Sequence, residues 1–274
     1  MSSPIALLDE PFLHSLQVTS LPAEKDIQIE SEAYIEVQKL LASDDAQAAN
    51  TPASGYGVFI QERGGNAWSN DYIQSDLLFS PAANPRRLLT PIYLVPDTVL
   101  NVSVKTNGLT LVYNRFDLAL SGIKRRNLTP ERYSLARQRP YFAYVSEFGK
   151  TFAAGESSWD LYITIKNDGA FVVQNLCMCG VFNGTTYNEL GGLRVQIVNV
   201  TENNRNYYSN PVGVFQAFGQ PDVWQGPNRL LNPLIFRPLS IIKLQFTLDT
   251  TEIAALTTDW KNMQFAFEGY KVLD

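Results

Sequence analysis

Residues 85–96 read PRRLLTPIYLVP and residues 227–238 read PNRLLNPLIFRP. Six of the twelve positions are identical: Pro85/Pro227, Arg87/Arg229, Leu88/Leu230, Leu89/Leu231, Pro91/Pro233 and Pro96/Pro238. The likeness continues downstream. DTVLNVSVKT (97–106) aligns with LSIIKLQFTL (239–248), and Leu100, Val102 and Val104 fall opposite Ile242, Leu244 and Phe246. Both copies alternate in the same phase, as a strand with one buried and one wet face requires. FDLALSGIK (116–124) then aligns with MQFAFEGYK (263–271), and upstream WSN (68–70) aligns with YSN (208–210). The offset grows from 142 to 147 residues, which puts five extra residues in one loop of the second copy.

Gly122 and Gly269 each interrupt an alternating run. Either the strand bulges there, which is the preferred reading, or another segment passes too close for a side chain. The prolines bracket short strands, because proline fixes φ and cannot donate to a ladder. The remaining segments are short, apolar or alternating: residues 27–37, 57–61, 141–148, 159–165, 170–178 and 193–200. Turn dipeptides such as Asn107-Gly108 and Asp168-Gly169 separate them. Helical spacing is confined to 36–48 and 251–256. The fold class is therefore all-β: two tandem β-sandwich, jelly-roll-like domains related by internal duplication. An extended arm (1–25) precedes a first domain (26–124), and a basic linker (125–140) leads to a second domain (141–274).

Apolar residues make up 45% of the 274 and charged residues 18%, enough for a substantial core. The net charge of −5 disfavours general nucleic-acid binding. The opening MSSPIALLDEPF lacks the basic start of a secretory signal, and no apolar run reaches membrane-spanning length. Cys177 and Cys179 lie two apart on one strand face and read as small buried apolar residues.

No nucleophile-elbow, zinc-protease, phosphate-loop or dinucleotide motif occurs. The single histidine, His14, makes a Ser-His or Cys-His centre implausible. No catalytic residue, metal or cofactor is expected, although Asp160, Asp168 and Glu189 keep a glycan-cleaving alternative open. Tyr207, Tyr208 and Trp224 stand in turn-rich sequence, either as a carbohydrate platform or as lids over the core. KRRNLTPERYSLARQRP (124–140) holds Lys124, Arg125, Arg126, Arg132, Arg137 and Arg139 against Glu131, a local charge of six minus one, or +5. These six are the candidate partner contacts; the alternative is a solvated connector.

The order GLRVQIVNVTENNR (192–205), YYSNP (207–211), FGQPDVWQGPNRLLNPLIFRPLSIIKLQFTL (218–248) and MQFAFEGYKVL (263–273) resembles a family of virion structural proteins of tailed bacteriophages. The resemblance covers most of the second copy and the later half of the first, whose closing strand departs from it by ending in IKRR. It implies a β-sandwich module at the capsid surface, neck or tail, assembled in a host cytoplasm with other virion proteins and with its own copies. A duplicated unit suits that role, since three chains can then imitate a six-fold ring. The alternatives are a double jelly-roll capsid protein and a carbohydrate-binding adhesin.

Overall fold

The computed structural model describes residues 10–31, 33–44, 56–80, 86–106, 116–125, 139–181, 192–219, 228–249, 255–257 and 259–273. The first half runs β1 (Glu10–Val18), β2 (Ala23–Gln28), β3 (Tyr34–Asp44), β4 (Tyr56–Glu62), β5 (Ile73–Gln74), α1 (Ser75–Leu78), β6 (Ile92–Leu94), β7 (Val99–Thr106) and β8 (Phe116–Arg125). Strand β1 pairs with β8, β2 with β7, β3 with β6 and β4 with β5, all antiparallel. The chain is thus one long ribbon folded at its middle. Wrapping the ribbon adds the β3–β8 and β4–β7 pairings. Two four-stranded sheets result, β1-β8-β3-β6 and β2-β7-β4-β5. This is the strand order of an eight-stranded jelly roll.

The second half runs β9 (Tyr141–Val145), β10 (Lys150–Phe152), β11 (Ser158–Thr164), β12 (Ala170–Val181), β13 (Leu193–Asn199), β14 (Arg205–Asn206), β15 (Val212–Gly213), α2 (Val214–Phe218), β16 (Asn228–Phe236), β17 (Ile241–Leu248) and β18 (Trp260–Val272). Its sheets are β10-β18-β12-β16, with β9 also on β18, and β11-β17-β13-β14, with β15 also on β13. The order repeats that of the first half, with its first strand split into β9 and β10 and its fifth into β14 and β15. Even the one-turn helix recurs after the fifth strand. The duplication is therefore topological as well as sequential.

Alternation fills both cores. Leu100, Val102 and Val104 of β7 meet Phe116, Leu118 and Leu120 of β8 in the first, all at most 1% exposed. The second core is aromatic, with Phe152 stacked on Trp159 at 4.5 Å and Phe246 tilted against Phe265 at the same distance. Each such side chain contributes roughly 1.5–3 kcal/mol on burial. The hydroxyl of buried Tyr144 accepts the Lys166 N–H at 2.8 Å, so its polar tip is satisfied.

The shared glycines have one explanation in both halves, and it is not the preferred one. Strand β8 stays in register with β1 through Gly122, and β18 with β9 through Gly269. The extra residue lies on the neighbour: Gln38 in β3 and Gln174 in β12. That bulge drives a carbonyl toward each glycine. A Cβ on Gly122 would stand 1.9 Å from the Glu36 carbonyl oxygen, and one on Gly269 1.9 Å from that of Val172.

Two further expectations are corrected. Residues 10–25, assigned to an arm, are strand β1 and the start of β2, both integral to the first jelly roll. Pro11 fits there because β1 closes its sheet, and proline is tolerated where its missing N–H faces outward. Residues 36–44, read as helical, belong to β3. The bulge at Gln38 spaces buried Val37 and Leu40 three apart, which mimics a helical period.

Candidate functional site: the interdomain seam and the free edges

The first jelly roll covers the outer face of the second one's β9-β18-β12 layer. Tyr141, Ala143, Val145, Cys177, Cys179 and Ala266 turn away from their own core and join the first hydrophobic cluster. Their sequence neighbours Phe142, Tyr144, Leu176, Met178, Phe265 and Phe267 fill the second. This layer is buried on both faces, which explains why YFAYV and LCMC carry no polar alternation.

Polar groups set the geometry of the seam. Glu268, with its side chain 3% exposed, accepts from Arg86 Nη2 at 3.1 Å, from Asn175 Nδ2 at 2.6 Å and from the Tyr141 hydroxyl at 3.3 Å. Gln264 accepts the Gln74 N–H at 2.8 Å and donates to the Tyr72 carbonyl at 2.8 Å, while the Gln74 side chain donates to the Asn262 carbonyl. Thr90 donates to Gln174 Oε1 at 2.6 Å, tying the segment before β6 to the second bulge. At the edge of β9, Ala143 N–H donates to the Trp68 carbonyl at 2.9 Å. Asn70 grips Val145 twice, donating to its carbonyl at 2.9 Å and accepting its N–H at 2.6 Å.

Burial opposes the Arg86 charge, but the Glu268 carboxylate, together with Cys177 and Tyr141, more than offsets it and holds the guanidinium above its ordinary range. Burial, with Glu268 beside it, raises the Tyr141 hydroxyl well above its usual value. Burial also pushes the Cys177 thiol up to about 12, despite the nearby Arg86. Asp76 of α1 is raised to about 6 by burial, against the lowering effect of hydrogen bonds that include one with Cys179. The seam locks two domains. Its two thiols are buried and protonated, and its Glu268 carboxylate is buried and paired.

The described part of the basic stretch is used within the chain. Lys124 pairs with Glu30, and Arg125 Nε with Glu36 Oε2 at 2.8 Å. Lys271, the duplicate of Lys124, likewise pairs with Asp168 at 2.6 Å, from the loop equivalent to that of Glu30. Arg139 lies over the Tyr270 ring at 5.7 Å. Arg126, Arg132 and Arg137 lie outside the described residues. Tyr207 packs edge-on against Phe236 at 5.4 Å, and Tyr208 packs beside it on the second core. Burial raises the Tyr208 hydroxyl. Both are therefore covers of the core; Trp224 lies outside the described residues.

His14 faces inward, half-buried, on β1. Cys177 and Cys179 are buried and free, as read. Among the described residues no group of three or more His, Cys, Asp or Glu could hold a metal ion. No described helix is long and apolar enough to cross a membrane. Large apolar side chains stand exposed along β16 and the turn after it: Leu231 at 99%, Ile235 at 62% and Leu239 at 62%. Strand β16 closes its sheet, so an apolar row and a free ladder edge coincide there.

No protein-family model and no curated protein matches the sequence. Among solved structures, the chain is similar to one from the atomic structure of Sulfolobus turreted icosahedral virus. The identity is 11%, with 96% of this chain and 91% of that chain covered and a TM-score of 0.44. It is also similar to a turret protein of the same virus, at 10% identity, covering 95% and 98%, with a TM-score of 0.22. A third is a secreted protein of Eubacterium rectale, at 9% identity, covering 95% and 74%, with a TM-score of 0.26. The strand pairing described above, and not these likenesses, carries the fold assignment.

Sequence reasoning missed the seam. The signal was present in β12 and β9, whose apolar residues occupy both faces. Gln264 and Glu268 gave none, because polar residues alternating with a core row read as a solvent face.

Proposed function

We propose that the chain is a non-enzymatic structural subunit of a virus particle, working through protein–protein contacts. The observation that carries this reading is the doubled jelly roll fused by a buried polar seam. Jelly rolls of eight strands build viral shells as well as lectin domains, and the step from fold to role is by that analogy. The duplication favours the shell. A rigid pair of similar units lets three chains present six similar blocks, a useful geometry for covering a surface. Placement in the shell is thus preferred over neck or tail. Attribution to tailed bacteriophages rests on the sequence resemblance alone.

For the adhesin alternative, Tyr207 and Tyr208 are half-buried and pack on the second core, which favours the reading of both as lids. The purified chain is expected to form discrete oligomers by sedimentation, to ignore glycan arrays and to show no hydrolase activity. Micromolar sugar binding lost in Trp224→Ala, or turnover abolished by one Asp or Glu substitution, would overturn the reading.

A further inference from the structure

The two jelly rolls touch through unlike surfaces. The first offers a short gripping segment, Trp68-Ser69-Asn70; the second offers the edge of β9 at Ala143 and Val145. Ser69 bridges Ala143 in parallel, so the segment extends the sheet beyond β9. Because the chain is duplicated, each surface exists a second time.

The register locates the second edge. Ala143 and Val145 stand opposite Glu268 and Ala266 of β18. Leu13 and Ser15 of β1 stand opposite Ser121 and Ala119 of β8. Counted from Gly269 and Gly122, these are the same places: Leu13 corresponds to Ala143 and Ser15 to Val145. Pro11 lies on the same side of β1. Lacking an N–H, it fits only if its side of the strand edge faces away from β8. The second gripping segment is Tyr208-Ser209-Asn210, which matches Trp68-Ser69-Asn70 in two of three residues.

What differs is occupancy. Ala143 and Val145 are at most 2% exposed, whereas Leu13 is 68% exposed and Ser15 is exposed. Ser209 and Asn210 are exposed as well. One grip is thus made inside the chain, and an equivalent edge and the exposed Ser209 and Asn210 are left over on its surface. The Tyr208 carbonyl already accepts from Gln196 Nε2 at 2.5 Å, so Asn210, the counterpart of Asn70, supplies the main hold.

We infer that Tyr208-Ser209-Asn210 of one copy grips the β1 edge of a second copy at Leu13 and Ser15. The inference rests on the assembly reading above and names its partner, another copy of this chain. Chemistry at the matching positions agrees. The charged pair Arg86–Glu268 of the seam has neutral counterparts, Asn228 and Ser121, so neither leftover surface carries an unmatched charge there. The contact is head-to-tail. Repeated, it alternates with the internal seam and closes into a ring when the rotation per chain allows.

Engineered cysteines test this, because both native cysteines are buried. Mixing Ser15→Cys chains with Asn210→Cys chains under oxidation should give a covalent dimer and nothing larger. One chain carrying both changes should give a covalent ladder ending at the ring size. Ser15→Pro, which removes the gripped N–H on the side where Pro11 is already tolerated, should weaken self-association about tenfold or more with an unchanged circular dichroism spectrum. If the wild type assembles but the cysteines do not link different chains and Ser15→Pro assembles normally, this contact is wrong and the assembly reading stands. A wild type that stays monomeric at high concentration overturns both.

Discussion

Replacing Glu268 by Leu tests whether the seam holds the two jelly rolls as a coupled unit. The substitution leaves the Arg86 guanidinium without its carboxylate and removes the acceptor of Asn175 Nδ2. Breaking a buried pair from one side costs about 3–5 kcal/mol. The Arg86 side chain is 21% exposed, so water recovers part of that, leaving roughly 2–4 kcal/mol. Arg86→Met strands Glu268, whose side chain is only 3% exposed, and should cost the fuller amount of about 3–5 kcal/mol. The double variant buries two apolar side chains instead, a replacement that is often close to neutral, and should lose no more than about 2 kcal/mol. The single costs would then sum to several kcal/mol more than the double, and the coupling energy should exceed about 2 kcal/mol. Urea unfolding of the four proteins, followed by tryptophan fluorescence, measures this directly. Additive costs, with coupling below about 0.5 kcal/mol, would show that the pair does not act as one interaction and would refute the reasoning.

The pH dependence follows from Asp76. Burial raises its folded-state value from 3.8 to about 6, so the folded protein binds this proton more tightly than the unfolded chain. Its contribution is present below about pH 4 and lost as the pH rises to about 6, at most about 3 kcal/mol and less for the part of the residue that reaches water. Asp76→Asn should flatten that segment of the stability curve in urea titrations, and an unchanged slope would count against the assignment. Gly122→Ala and Gly269→Ala should each destabilise by about 1–3 kcal/mol or more, since each Cβ must displace a backbone carbonyl. Similar thermal shifts are expected for both; a harmless change at either position would contradict the paired bulges. Deleting residues 1–18 should unfold the first domain, because it strips β8 of its β1 partner, takes buried Val18 out of the core and uncovers Phe116. A native circular dichroism spectrum after that deletion would restore the idea of an arm.

The repeat was legible because strand alternation and turn placement survive divergence even where identities do not. Leu100, Val102 and Val104 keep the phase of Ile242, Leu244 and Phe246, and the structure places both rows in equivalent cores. Three features were hidden. Strand β1 carries Pro11 and exposes every second residue, so its alternation was outweighed by the prolines around it. Strand β3 lost its period-two signature to the bulge at Gln38. The seam was invisible because covering a sheet's second face depends on how two domains dock, and Glu268 finds its cation 182 residues away at Arg86. Lys124 and Arg125 stood out by charge, yet their acids, Glu30 and Glu36, come from the strand and loop that the fold brings alongside.

The central claim is that one chain carries two equivalent jelly rolls and uses its leftover surfaces to bind copies of itself. Electron microscopy of the purified chain, paired with native mass of the same sample, tests it most directly. Rings with twice as many lobes as the mass counts chains are the expected result. Isolated two-lobed particles at every concentration, or rings with one lobe per chain, would contradict it.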